Sequence, residues 1–241
     1  MTAYAAEARK VTKRYGSFTA LDKVDITVKR GAVYGLVGDN GAGKTTFLKL
    51  LSGHIYADEG ELTLFGCHSR KDMEEQRRRT GAVIEAPGFY PQISVEKNLE
   101  YYRILKGVPG KRAVDEVLEL VGLADRKKKR CRDLSLGMKQ RLGLAISLIG
   151  EPELLILDEP INGLDPSGII EIRNLLQRLS REKNITIILS SHILTELEQL
   201  ATVYGFLTDG KLAEQITAEE IKEKCLCPYH ILKVENFLRK V

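Results

Sequence analysis

The segment Gly38-Asp39-Asn40-Gly41-Ala42-Gly43-Lys44-Thr45 leaves this chain few folds to choose from. It follows residues 32–37, a short apolar run of strand character, and leads into Thr46-Phe47-Leu48-Lys49-Leu50-Leu51, whose apolar residues recur at helical spacing. A strand, a glycine loop and a helix in that order let backbone N–H groups converge on a phosphate, with the partial positive charge of the helix N-terminus behind them. Lys44 is then placed to reach β and γ phosphates, and Thr45 to ligate Mg²⁺. A tight turn before a helix accounts for two of the glycines but not for the Gly-Lys-Thr ending.

The remaining chain reads as the setting for such a loop. Short apolar runs at 24–28, 62–65 and 82–84 have strand character, and strands return at 154–157, 185–189 and 203–207 with helical patterns between them, as in an α/β core. From about 94 to 150 the periodicity is helical: Val95, Leu99, Tyr102 and Leu105 form one stripe and Val114, Val117, Leu118 and Val121 another, separated by Gly107-Val108-Pro109-Gly110. This stretch is expected to be an all-helical insertion. No run of 18 apolar residues marks a membrane helix. Residues 1–10 lack the apolar core of a secretion signal, and four scattered cysteines do not frame a chain of 241 residues.

A second chemical signal is Leu154-Leu155-Ile156-Leu157-Asp158-Glu159, a buried-strand pattern that delivers two carboxylates to the rim of a sheet. Ligands of open α/β sheets bind at the carboxyl ends of strands, so Asp158 is expected to hold the metal shell and Glu159 to polarise water as a general base. About twenty residues earlier stands Leu134-Ser135-Leu136-Gly137-Met138-Lys139-Gln140-Arg141. It resembles the signature motif of ABC-type ATPases, and its place between the two nucleotide motifs is also theirs. Tyr15 before Gly16 resembles the aromatic loop that stacks on adenine, Gly163-Leu164-Asp165 the D-loop, and His192 after Ser190-Ser191 the switch histidine. The resemblance covers about residues 8–215.

That resemblance implies a single ABC ATPase domain with an α/β phosphate-loop NTPase core (1–86 and 151–216), an antiparallel β subdomain, a helical subdomain at about 87–150 and a C-terminal tail at 217–241. It implies ATP and Mg²⁺ as ligands. The catalytic pair would be Glu159 and His192, and the nucleotide contacts Tyr15, Gly38, Asp39, Asn40, Gly41, Ala42, Gly43, Lys44, Thr45, Thr46, Ser135, Gly137 and Asp165. Thr45, Asp158 and Glu85 would face the metal. Two cassettes, most simply a homodimer, would sandwich two ATP molecules head to tail, with Ser135 and Gly137 of one gripping the γ phosphate held by Lys44 and Thr45 of the other. Two departures point to a subtype. Glu85 stands where the family usually has Gln in the loop joining core to insertion, with Gln92 a lower-ranked alignment, and the signature reads Leu-Ser-Leu-Gly-Met. Both resemble the bacitracin and lantibiotic resistance cassettes, whose partner is a separate polytopic permease. The expected place is therefore cytoplasmic, on the inner face of the cell membrane.

The chain carries a net charge of +4, yet six cations (Arg126, Lys127, Lys128, Lys129, Arg130, Arg132) lie within one seven-residue stretch, leaving 31 cations against 33 acids elsewhere. The run reads first as a solvated turn between two helices of the insertion, with anionic lipid or nucleic-acid phosphate as the other readings. No aromatics interleave with it, and no specific nucleic acid is expected as a partner. Gly88-Phe89-Tyr90-Pro91 places two aromatics beside the hinge, for a partner helix or for core packing. Cys225, Cys227 and His230 lack the paired spacing of a zinc site. A soluble ABC-type ATPase acting on nucleic acid or ribosomes is the alternative function. A GTPase is disfavoured because Asn-Lys-x-Asp is absent, and Asp22-Lys23-Val24-Asp25 precedes the phosphate loop.

Overall fold

A computed structural model describes residues 3–226. The chain opens with a long antiparallel hairpin, β1 (Tyr4–Tyr15) and β2 (Phe18–Lys29), and then enters a central sheet through β3 (Val33–Val37). Helix α1 (Lys44–Ser52) follows the glycine loop, β4 (Glu59–Leu64) returns to pair with β1, and α2 (Arg70–Gln76) leads to β5 (Thr80–Val83). After β5 the chain leaves the sheet for α3 (Val95–Leu105), α4 (Arg112–Leu120) and α5 (Leu136–Leu148). It re-enters at β6 (Leu154–Leu157) and continues through α6 (Pro166–Lys183), β7 (Thr186–Ser191), α7 (Leu194–Leu197), β8 (Val203–Thr208), β9 (Lys211–Thr217) and α8 (Ala218–Leu226).

Two sheets result. One is antiparallel, in the order β2-β1-β4; the other runs β5-β6-β7-β3-β8-β9, parallel except for its edge strand β9. The central strands are covered on both faces, so every residue of β3, β6 and β7 is buried, which is why they read as largely apolar runs, with the hydroxyls of Thr186, Ser190 and Ser191 as the buried exceptions in β7. Alternate residues of one strand feed different cores, as the two-residue period demands. Leu154 and Ile156 pack with α1 and the antiparallel sheet, whereas Leu155 and Leu157 pack toward the helical side with Leu142, Ala145 and Leu176. α5 lies against β5, where the backbone carbonyl of Ser147 takes the space that a Cβ on Gly81 would need.

Local chemistry sets the helix ends. Ser94, Ser135 and Asp165 are the N-caps of α3, α5 and α6, each accepting a backbone N–H from the first turn, and Pro166 opens α6 where its missing N–H is harmless. The run 126–132 is, as expected, a largely exposed connection between α4 and α5, and it is also anchored. Its backbone pairs with the segment before α3: Val95 N donates to Lys129 O, Glu96 N to Lys127 O, Cys131 N to Ile93 O and Arg132 N to Pro91 O. Cys227 and His230 lie outside the described residues, and no group of three or more His, Cys, Asp or Glu side chains placed to hold a metal ion occurs among the described ones.

Candidate functional site

The sheet order places the ends of β3 and β6 on either side of β7, so the glycine loop and the Asp158-Glu159 pair reach the same rim. The loop is shaped by close backbone approach. A Cβ on Gly38 would collide with the Leu207 carbonyl, and Gly43, at φ +106°, would meet the Ala20 carbonyl at 2.6 Å. Ala42 N donates to Asp39 O, closing the turn, while Asp39, Asn40 and Gly41 stay exposed. Lys44 is buried, with Nζ donating to Gly38 O (2.6 Å) and Asp39 O (3.1 Å) and lying 3.6 Å from Glu159 Oε1. Thr46, in the first turn of α1, is half-buried.

The carboxylates are locked to this loop. Thr45 Oγ1 donates to Asp158 Oδ2 at 2.8 Å, Ser190 Oγ donates to Asp158 Oδ1 at 2.6 Å, and the same Ser190 oxygen accepts Glu159 N at 2.9 Å. Glu159 adopts φ +46°, a left-handed conformation uncommon for a residue with a side chain, and its Oε2 accepts Asn162 Nδ2 at 2.8 Å and lies 3.1 Å from His192 Nδ1. Thr45, Glu85, Gln140, Asp158, Glu159 and Asn162 line one cavity of about 260 Å³. A larger cavity of about 940 Å³ opens where β6 and β7 begin, among Val108, Val117, Leu148 and Ile185, and contains none of these groups.

Glu85, at φ +62°, sits at the mouth of the smaller cavity with Oε1 2.5 Å from Lys49 Nζ, and this carboxylate holds the Lys49 ammonium above the usual lysine range. Lys49 lies on α1, so the hinge residue is tied to the helix that follows the phosphate loop. Tyr15 ends β1 with its ring exposed and Lys13 Nζ 5.6 Å from the ring centroid, and Phe18 across the turn is exposed beside it.

Ser135 and Gly137 stand at the start of α5, beside the 163–165 turn: Leu136 Cδ2 would lie 3.4 Å from a Cβ on Gly163. Of the signature segment only Gln140, one turn along α5, lines the cavity with Thr45 and Asp158. Asp165 is exposed and spends its carboxylate locally, accepting Gly168 N (3.3 Å) and Ser167 Oγ (2.7 Å); the Ser167 hydroxyl and then the Gly168 amide hold it below the usual carboxylate range. Sequence reasoning passed over Gln140, Asn162, Ser190 as the link between the Asp158 carboxylate and the Glu159 backbone N–H, and Lys49. Asn162 stands three residues after Glu159, but the other three reach the site only through tertiary structure.

The family model described as ABC transporter matches residues 21–162. The bacitracin transport ATP-binding protein BcrA of Bacillus licheniformis is 48% identical over 214 residues, which is 89% of this chain and 70% of that protein. The lantibiotic transport ATP-binding protein SrtF of Streptococcus pyogenes is 42% identical over 205 residues, covering 85% and 87%. Among solved structures, a dimeric ATP-binding cassette in a post-hydrolysis state bound to ADP and Pi superposes with a TM-score of 0.80 at 23% identity, covering 88% of this chain and 98% of that one.

Proposed function

The chain belongs to the ABC transporter family, and from that premise we propose that it is the ATP-hydrolysing subunit that drives export of a peptide antibiotic or similar amphiphile through a separate polytopic membrane subunit. The carrying observation is the hydrogen-bonded line from Thr45 through Asp158 and Ser190 to the backbone N–H of Glu159, which fixes the residue that must handle water relative to a phosphate-loop hydroxyl. The class of cargo is taken over from the relatives named for bacitracin and lantibiotic transport. No helix among the described residues is long and apolar enough to cross a membrane, so the crossing is assigned to the partner and this subunit to the inner face of the cell membrane.

Lys44 and the loop amides bind the β and γ phosphates of ATP, with the N-terminus of α1 contributing its partial charge. The exposed Tyr15 ring offers a face for adenine. Thr45, Asp158 and Glu85 present hydroxyl and carboxylate oxygens to one cavity, a donor set that fits Mg²⁺. Bound there, the ion would offset the negative charge of the phosphates. Glu159 accepts the proton of the attacking water, and its carboxylate is oriented by Asn162 and by His192, the residue to which the family resemblance gives the sensing of the γ phosphate. Ser135 and Gly137 do not line the cavity of their own chain, which supports a head-to-tail pair in which a second copy supplies them.

Phosphate release by the purified chain should rise more than linearly with its concentration, as assembly of a two-copy site requires. In cells the chain should copurify with a polytopic membrane protein. Tight DNA or RNA binding with a steep salt dependence, and no such partner, would overturn the transport reading in favour of nucleic acid or ribosomes.

A further inference from the structure

We propose that the basic run 126–132 is a docking surface for anionic phospholipid headgroups, holding the helical insertion against the membrane independently of the protein partner. This deepens the transport reading and rests on it for the placement of the chain beside a membrane. The run is built into the fold. Four backbone hydrogen bonds to residues 91–96 and a single bridge between Ser94 and Arg130 anchor it to the segment before α3, so it is not a free loop.

Its charge is only partly answered by the protein. Arg126 pairs with Asp125, Lys127 with Asp115 and Arg132 with Asp133, all exposed pairs that compete weakly with another anion. Lys128, Lys129 and Arg130 have no ion-pair partner among the described residues. The rest of the chain carries slightly more acid than base, so this run is a local concentration of positive charge suited to an anionic surface.

Apolar groups adjoin the cations. Tyr90 precedes Pro91, whose carbonyl receives Arg132 N, and its exposed ring packs edge-on against Tyr101 at a centroid distance of 5.1 Å. Ile104 and Leu105 follow Tyr101 by three and four residues on α3, and both are exposed. Aromatic and aliphatic side chains beside a basic edge suit the boundary between headgroups and acyl chains. Single-stranded nucleic acid fits less well, because no aromatic residue stands among the cations of 126–132 for bases to stack on.

The test uses the purified chain and vesicles of either pure phosphatidylcholine or phosphatidylcholine with one quarter phosphatidylglycerol. The wild type should sediment with the anionic vesicles only, and less as salt rises. At roughly fivefold per cation, the triple variant Lys128→Gln, Lys129→Gln, Arg130→Gln should bind about 100-fold more weakly. The Arg-preserving variant Lys128→Arg, Lys129→Arg should bind like wild type, and all should keep wild-type ATPase activity and melting temperature. Equal binding to both vesicle types, no binding to either, or a triple variant that binds like wild type would overturn the proposal. RNA that binds the run and displaces the vesicles would reassign it to nucleic acid. Vesicle binding without any ATPase activity would instead count against the proposed function and leave the lipid surface standing.

Discussion

Ser190→Ala tests how the two carboxylates are held. The Ser190 hydroxyl is fully buried, donates to Asp158 and accepts the backbone N–H of Glu159, where the chain bends through a left-handed φ of +46°. Alanine removes a hydrogen bond to a charged acceptor, worth about 1.5–3 kcal/mol, and leaves the Glu159 amide short of a partner, at about 1–3 kcal/mol. These terms overlap, so a stability loss of about 2–4 kcal/mol is expected. Asp158 keeps Thr45, and Glu159 keeps Asn162 and His192, so the site persists but loosens. Because a small misplacement of a reacting group can lower a rate by up to about 100-fold, kcat should fall about 10- to 100-fold. KM for ATP should change little, since Lys44 and the loop are untouched. Urea denaturation and steady-state phosphate release measure the two effects. A variant with kcat within a factor of two of wild type would refute the argument that this hydroxyl positions Glu159.

Two further perturbations separate structure from chemistry. Lys49→Met should change stability by under about 1 kcal/mol, because its pair with Glu85 is largely exposed; it should alter kcat several-fold in the wild type and not in a Glu85→Gln background, and equal effects in both would show that Lys49 does not act through Glu85. Lys106 donates to the carbonyls of Ile146, Ser147 and Ile149 at the end of α5, and burial pulls its ammonium down to about 8 from the ordinary 10.5. Between those values the unfolded chain binds the proton that the folded chain has lost, so stability due to this residue rises with pH. From pH 7.5 to 9.5 the wild type should gain about 2 kcal/mol over Lys106→Met in urea denaturation, and a constant difference would contradict it.

Much of the fold was legible because its central strands are buried on both faces, which makes 154–157 wholly apolar and 185–189 apolar but for Thr186. β1 was not legible, since its buried positions Ala5, Ala6, Ala8, Val11 and Thr12 are mostly small and depart from two-residue alternation. β9 hides as a mostly exposed edge strand. Within the site, the glycine loop and the Asp158-Glu159 pair are local in sequence and were read directly. Ser190 lies some thirty residues from the Asp158 carboxylate and Glu159 amide that it joins, and Lys49 thirty-six from Glu85, so only tertiary structure reveals them. Asp165, assigned to nucleotide by resemblance, spends its carboxylate in this chain on capping α6. The basic run, expected to be a turn, gains an ordered role from pairing with 91–96, a contact between segments that share no sequence pattern.

The claim at the centre of the account is that Glu159, placed by Ser190, Asn162 and His192, accepts the proton of the water that attacks ATP. Glu159→Gln keeps the size of the side chain and removes the base. With ATP and Mg²⁺ present, the variant should bind nucleotide as wild type does, lose nearly all phosphate release and accumulate an ATP-bound dimer of twice the monomer mass by light scattering. Wild-type turnover in that variant would contradict the assignment.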